Sequence, residues 1–323
     1  MKRFRKILTV YDNSIGCDDA FGQAVALAQA NSAHLSVLTV LPERDVTPGM
    51  MQEAEKRLSR LADTAYHEGV PQVNTFAVSG TPFLEIIREV IREEHDLVIV
   101  SAEGGSVMKN VFFGSTATHL LRKCPCPVWV IKPGQQVPYG RILAAVDPVN
   151  ASEEAEELNF KIMDLATSLA MAHDAHLHVM HAWDFEGRDR ETFNSEMTVN
   201  MRQSLLDRHW TMHHDAVLSL LSQYPMSEIH HEVHLPRGVV QQKITSVVEK
   251  EDIDLIVMGT VNRGRIPGFL IGHVAESVLD SVCCGVLTVK PEGFETPVTL
   301  PQVVPFNGWQ GDNLLKQQKR SGQ

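Results

Sequence analysis

Short apolar runs rich in Val, Ile and Leu alternate along this chain with longer segments in which apolar residues return at helical spacing. Near-continuous apolar runs mark strands buried on both faces, so the pattern predicts an α/β fold, a parallel sheet with helices on both faces. Strands are expected near residues 5–11, 34–40, 73–78, 96–101, 127–131, 141–146, 176–182, 229–235, 254–259 and 285–289. Helices fill the gaps. Thr81-Pro82 supplies an N-cap and a proline at the first helical position, after which Phe83, Ile86, Ile87, Val90 and Ile91 share one face. Ser152, followed by Glu153 and Glu154, starts another helix in the same way.

The strands form two sets of five, because the chain repeats itself. The run RKILTVYD from Arg5 returns as GRILAAVD from Gly140, and HLSVLTVL from His34 returns as HLHVMHAW from His176. Asp96, Gly114 and Cys126 recur as Asp254, Gly272 and Cys284, each 158 positions on, whereas Asp12 recurs as Asp147, only 135 positions on. The second copy therefore carries about 23 extra residues, which the two offsets place roughly between Asp184 and Arg208. With Phe185, Phe193 and Met197 among polar neighbours, this insertion suits a partner or ligand lid, or equally a helix packed on its own domain. The expected organisation is a first domain over 1–133, a linker over 134–139, a second domain over 140–291 and a tail over 292–323. Prolines at 297, 301 and 305 make the tail an extended or disordered segment, in which Val303, Val304, Phe306 and Trp309 could dock on a domain. Each fifth strand (VWVI, VLTV) is apolar and last in its copy. An uncovered apolar edge invites pairing, so the two fifth strands are expected to meet around a pseudo-two-fold axis.

A net charge of -11 argues against a surface that tracks nucleic-acid phosphates. No charge-free apolar stretch reaches the 18 or more residues of a membrane span, and the basic start, Met1 to Lys6, is followed only by Ile7 to Val10 before Asp12. That is a first strand rather than a signal peptide, and the expected localisation is the cytoplasm. The five cysteines have no metal-ligand spacing, and Cys124, Cys126, Cys283 and Cys284 are read as small buried apolar residues.

In an open parallel sheet, ligands bind outside the carboxyl ends of the strands where strand order reverses. Asp12 and Asp147 end the first strand of each copy. The fourth strand of copy one runs into Ser101-Ala102-Glu103-Gly104, then nine residues, then Gly114-Ser115-Thr116. Copy two reads Gly259-Thr260-Val261-Asn262, then nine, then Gly272-His273-Val274. Glycines let the backbone approach an anion, a helix N-terminus offers unpaired N–H groups, and a hydroxyl adds a donor.

This loop resembles the G-x2-G-x9-G-[S/T] pattern of the universal stress protein family. The likeness runs over both repeats, from about residue 4 to about 292, as in the family's tandem-domain members. The resemblance implies two Rossmann-like domains of the adenine nucleotide alpha hydrolase type, arranged as a pseudo-dimer. It also implies a role in stress resistance, including DNA damage and oxidative stress, without a defined reaction. In ATP-binding members the first-strand Asp and a residue ending strand two contact adenosine, while the loop holds ribose and phosphates. Carried over, these positions are Asp12, Val40, Gly104, Gly114, Ser115 and Thr116 in copy one, and Asp147, Ala182, Gly259, Asn262, Gly272 and His273 in copy two. Copy one departs from the pattern at Ser101, where the first Gly is expected. Copy two departs at Asn262 and His273, which makes copy one the better candidate.

The implied partner is ATP, another adenine nucleotide or an anionic small molecule, with a homodimer as a further option. No nucleic acid and no membrane span are expected. A slow ATPase and a purely structural interaction module stand as alternatives, but no activated nucleophile or base shows at a motif spacing, so no catalytic residue is assigned. Lys109 could touch a phosphate and is read as a solvated surface residue. Ten of the fifteen histidines cluster in copy two, at His173, His176, His178, His181, His209, His213, His214, His230, His231 and His234. His209 and His213 have the helical spacing of a metal pair, but no Glu completes H-E-x-x-H. These histidines are read as ordinary polar and partly buried residues, with no metal site.

Overall fold

The computed structural model describes residues 4–44, 46–102, 114–134, 138–149, 152–185, 193, 197–260 and 273–300. The first half runs β1 (Lys6–Val10), α1 (Cys17–Asn31), β2 (His34–Leu41), α2 (Pro48–His67), β3 (Gln72–Ser79), α3 (Pro82–Glu93), β4 (Leu97–Ser101), α4 (Ser115–Lys123) and β5 (Val128–Ile131). The second runs β6 (Arg141–Ala145), α5 (Glu153–His173), β7 (His176–Met180), α6 (Val199–Leu221), β8 (His231–His234), α7 (Val240–Lys250), β9 (Leu255–Gly259), α8 (His273–Ser281) and β10 (Gly285–Val289). Every expected strand is present within two residues of its expected ends. Thr81 and Ser152 do sit at the N-caps of α3 and α5, yet neither side chain makes a capping hydrogen bond.

All strands form one sheet of order β3-β2-β1-β4-β5-β10-β9-β6-β7-β8. Pairing is parallel within each half and antiparallel only where β10 meets β5, with Leu287 opposite Trp129 and Val286 opposite Val130. The two apolar edges thus cover one another, as their composition requires. Because successive side chains alternate between faces, each strand feeds two apolar layers. Leu97, Ile99, Trp129, Ile142 and Leu287 pack under α1, α2, α5 and α6. Val98, Val100, Val128, Val130, Ile256 and Val286 pack under α3, α4, α7 and α8. Both layers run across the β5–β10 seam without a break.

The segment between the halves ends in the core. Tyr139 is buried, its ring 5.7 Å from Trp129 and 5.2 Å from His173. Cys124, Cys126 and Cys284 are buried as expected, but Cys283 is exposed. It occupies the turn between α8 and β10, where the side chain of the preceding Val282 takes the inward position. Past Glu292 the chain has neither helix nor strand as far as Leu300, though Val298 is buried in the second apolar layer. Val303, Val304, Phe306 and Trp309 lie outside the described residues.

One lysine locks the seam. Lys290, just beyond β10, is 5% exposed and donates from Nζ to the Leu121 carbonyl at 2.6 Å and the Thr260 hydroxyl at 2.7 Å. It thereby satisfies an orphan carbonyl at the end of α4 in the first half while bonding β9's end in the second. Burial of the ammonium lowers its pKa to about 8, partly opposed by the nearby Cys124. Since the unfolded chain holds this proton up to about pH 10.4, the folded state gains stability as pH rises from about 8 to about 10. Urea unfolding across that range should show the parent gaining roughly 2–3 kcal/mol relative to Lys290→Met, a gain absent below pH 7.

Candidate functional site

Strand order reverses between β1 and β4 in the first half and between β6 and β9 in the second. Antiparallel pairing at the seam puts the carboxyl ends of the two halves on opposite edges of the sheet. There are two mouths, and they face away from each other.

At the first mouth the chain leaves β1 through Asn13 (φ 62) and Gly16 (φ 92) before entering α1. Asp12 is exposed, and its Oδ1 accepts the Ser14 N–H at 3.0 Å, which holds the carboxylate at the start of the turn. Ser101 closes the loop from the other side, donating its hydroxyl to the Ile15 carbonyl at 2.9 Å. The residue that breaks the glycine pattern is therefore a brace between β4 and the Asp12 loop. Asp18 accepts from the Tyr11 hydroxyl at 2.6 Å, and Asp19 accepts from the Gly134 N–H at 2.8 Å. Both acids sit in the first turn of α1, where the helix dipole favours them. The Tyr11–Asp18 bond, helped by burial, holds the phenol well above its usual pKa.

Helix α4 must start at this same edge, because it returns the chain from β4 to the parallel β5. Gly114 is extended (φ -61, ψ 167), Ser115 is exposed and Thr116 half-buried, and among the described residues no side chain caps the helix. The first backbone bond into Gly114 comes from Thr118, at 3.0 Å. The N–H groups of Ser115, Thr116 and Ala117 therefore have no intrahelical acceptor. Val40 is buried in the second apolar layer, so it offers the mouth little beyond backbone. Gly104 and Lys109 lie outside the described residues.

The second mouth has the same frame and a different filling. Asp147 donates its N–H to Asn159 Oδ1 at 2.8 Å, and Asn159 Nδ2 returns a bond to the Asp147 carbonyl at 3.0 Å. His181 stands where the first half has Thr39, and each bonds the carbonyl of the residue before the mouth's acid. Thr39 donates to Tyr11 at 2.8 Å, and His181 Nδ1 lies 3.2 Å from the Val146 carbonyl. A carbonyl only accepts, so His181 carries its proton on Nδ1, and its Nε2 accepts from His213 Nδ1 at 2.8 Å. Beside Gly259 a Cβ would come 2.7 Å from Leu158 Cδ2, so a larger residue here would have to displace that side chain. Ala182 is half-buried just past β7. His273 opens α8, while Asn262 and Gly272 lie outside the described residues.

Sequence reasoning missed Asn159, Leu158 and the brace made by Ser101, all of which depend on contacts between separate elements. The described part of the insertion packs on its own half. Trp183, Phe185 and Leu205 form a small core with Phe193, Met197 and Leu206, and the Arg237 guanidinium lies 5.2 Å and 4.8 Å from the Phe185 and Phe193 rings. His209 and His213 both stack on Trp183 with their rings 6.3 Å apart, a use of that helical spacing in aromatic packing. An open groove of about 580 Å³ lies at neither mouth. It runs between the end of α3, Pro125-Cys126 and Phe294 to Thr296, at the amino ends of the first half's strands.

The model of the "Universal stress protein family" matches residues 3–132 and 138–290. The chain belongs to the universal stress protein family. Universal stress protein E of Escherichia coli K12 is 27% identical over 261 residues, 78% of each chain. The Salmonella typhi protein of the same name is 26% identical over 321 residues, 93% of this chain and 98% of that one. Among solved structures, the functionally unknown protein PA1789 of Pseudomonas aeruginosa PAO1 superposes with a TM-score of 0.73 at 27% identity, over 90% of this chain and 94% of that one. Two family domains in tandem over most of the length support a stress-response role. No helix among the described residues is long and apolar enough to cross a membrane.

The bracing of the first mouth makes Gly16 irreplaceable. A Cβ there would lie 2.9 Å from both Pro133 Cγ and Ser101 Oγ, at a positive φ. Gly16→Ala should cost about 2–4 kcal/mol in urea unfolding, from left-handed strain plus overpacking. Gly22→Ala, inside α1 with nothing within 4 Å of the new methyl, should instead stabilise by about 0.5–1 kcal/mol.

Proposed function

We propose that the chain is a cytoplasmic stress-response protein that binds an adenine nucleotide or another anionic small molecule at its first mouth. Its output is a change of conformation or of partner rather than turnover. The observation that carries this reading is the start of α4, which no side chain among the described residues caps, with Ser115 and Thr116 on the same sheet edge as the exposed Asp12. Backbone N–H groups and two hydroxyls suit phosphate, and a carboxylate at the end of β1 suits the hydroxyls or amino group of a nucleoside. The second mouth is the poorer site. Leu158 takes the space beside Gly259, His181 stands 3.6 Å from the Asp147 carboxylate, and the hydroxyl of the pattern is replaced at His273.

The purified full-length chain should carry nucleotide in native mass spectrometry or take up one equivalent of added ATP in calorimetry. Asp12→Ala should weaken that binding by about 10- to 100-fold, the worth of a hydrogen bond to a charged group, while Asp147→Ala leaves it within about twofold. A chain that binds none of ATP, GTP or cyclic nucleotides would leave a purely structural interaction module. ATP turnover well above background would move it to the slow ATPases.

A further inference from the structure

The histidines of the second half do not all serve packing. On the face of β7 and β8 that also carries Met180 of the second apolar layer, at the end of the sheet, His178 lies directly opposite Glu232 and one pair from His234. Among the described residues these three form a group in which one ligand atom from each lies within 4.8 Å of the other two. His178 Nδ1 and His234 Nε2 face each other at 2.9 Å, and His234 Nδ1 is 3.9 Å from Glu232 Oε1. His178 is only 2% exposed, and its Nε2 is buried without a hydrogen-bond partner among the described residues. The hydrogen-bonding capacity of this ring is thus not used up by the fold.

We infer that His178, Glu232 and His234 form a binding site for a divalent transition-metal ion of the zinc class. Two imidazoles and one carboxylate are a zinc donor set, and three protein ligands leave a fourth position for water. At Zn–N distances of about 2.0–2.1 Å and a tetrahedral angle, two ligand nitrogens stand roughly 3.3–3.4 Å apart. The two rings need to part by only about 0.4–0.5 Å to exchange a shared proton for a shared ion. Bound there, the ion joins the terminal strand β8 to β7. The first half provides an internal comparison. Strand register places Ser36, Asn74 and Phe76 at the positions of His178, Glu232 and His234, so the duplicated frame alone supplies no such site.

The metal-stripped full-length chain, titrated with Zn²⁺ in calorimetry, should bind one equivalent at this site, and Co²⁺ in its place should give the visible absorption of a four-coordinate ion. The double variant Glu232→Asn, His234→Phe, which imports the residues of the first half, should weaken Zn²⁺ binding about tenfold or more, abolish that absorption and remove the rise in melting temperature that Zn²⁺ gives the parent. His214→Ala, which changes a half-buried histidine of the other cluster, should change none of these. If the double variant does not fold by circular dichroism, Glu232→Gln, at an exposed position, reads the contribution of the carboxylate alone. A parent that binds no Zn²⁺, or variants that fold and bind it as the parent does, would overturn the assignment. Because the nucleotide reading concerns the other half, neither result bears on it.

Discussion

The antiparallel pairing of β5 with β10 sets the rest of this molecule. Each five-stranded half ends in a short apolar strand that water cannot cover and that no helix of its own half hides at the edge. Pairing these two edges satisfies their backbone groups and lets Trp129 and Leu287 join two apolar layers into one, and the buried Lys290 then crosses the seam to finish a helix in the other half. A parallel pairing would have put both mouths on the same side. The antiparallel one turns them away from each other, so each mouth is served only by loops of its own half.

Within that frame the two halves have moved apart chemically while keeping the same geometry. Thr39 and His181 bond equivalent carbonyls, but the hydroxyl is small and ends there, whereas the imidazole passes a hydrogen bond on to His213 in α6. Helix α6 takes the place that α2 has in the first half and carries His213, while the extra residues add Phe185 and Phe193 to Trp183's surroundings. Leu158 beside Gly259 and the pair of bonds from Asn159 complete a mouth organised for support. The first mouth keeps an exposed acid and a helix start that no side chain among the described residues caps.

Much of the fold could be read from the sequence because parallel strands buried on both faces leave an unbroken apolar signature, and because duplication makes every strand appear twice. The seam followed from the same reasoning, since VWVI and VLTV had nowhere else to go. What could not be read are contacts that join separate elements through polar atoms: Ser101 to Ile15, Asn159 to Asp147, Lys290 to Leu121. Each of these residues is unremarkable in its local pattern, and its importance depends on which atom lies opposite after folding. Cys283 was misread for a related reason, because two adjacent cysteines at a turn cannot both face inward, and local composition does not say which one does. The histidine clusters were visible as clusters, but their division between aromatic stacking on Trp183 and a convergent group on β7 and β8 depends on strand register.

A homodimer built from one domain must accept every substitution twice, once in each subunit, and at related places. Here the two subunits are a single polypeptide held by one seam, so a change on β8 has no echo on β3. That release from symmetry is what allows one end of the sheet to gather imidazoles and a carboxylate while the other end keeps serine, asparagine and phenylalanine. With both domains in one chain, each end of the sheet is free to diverge without the other.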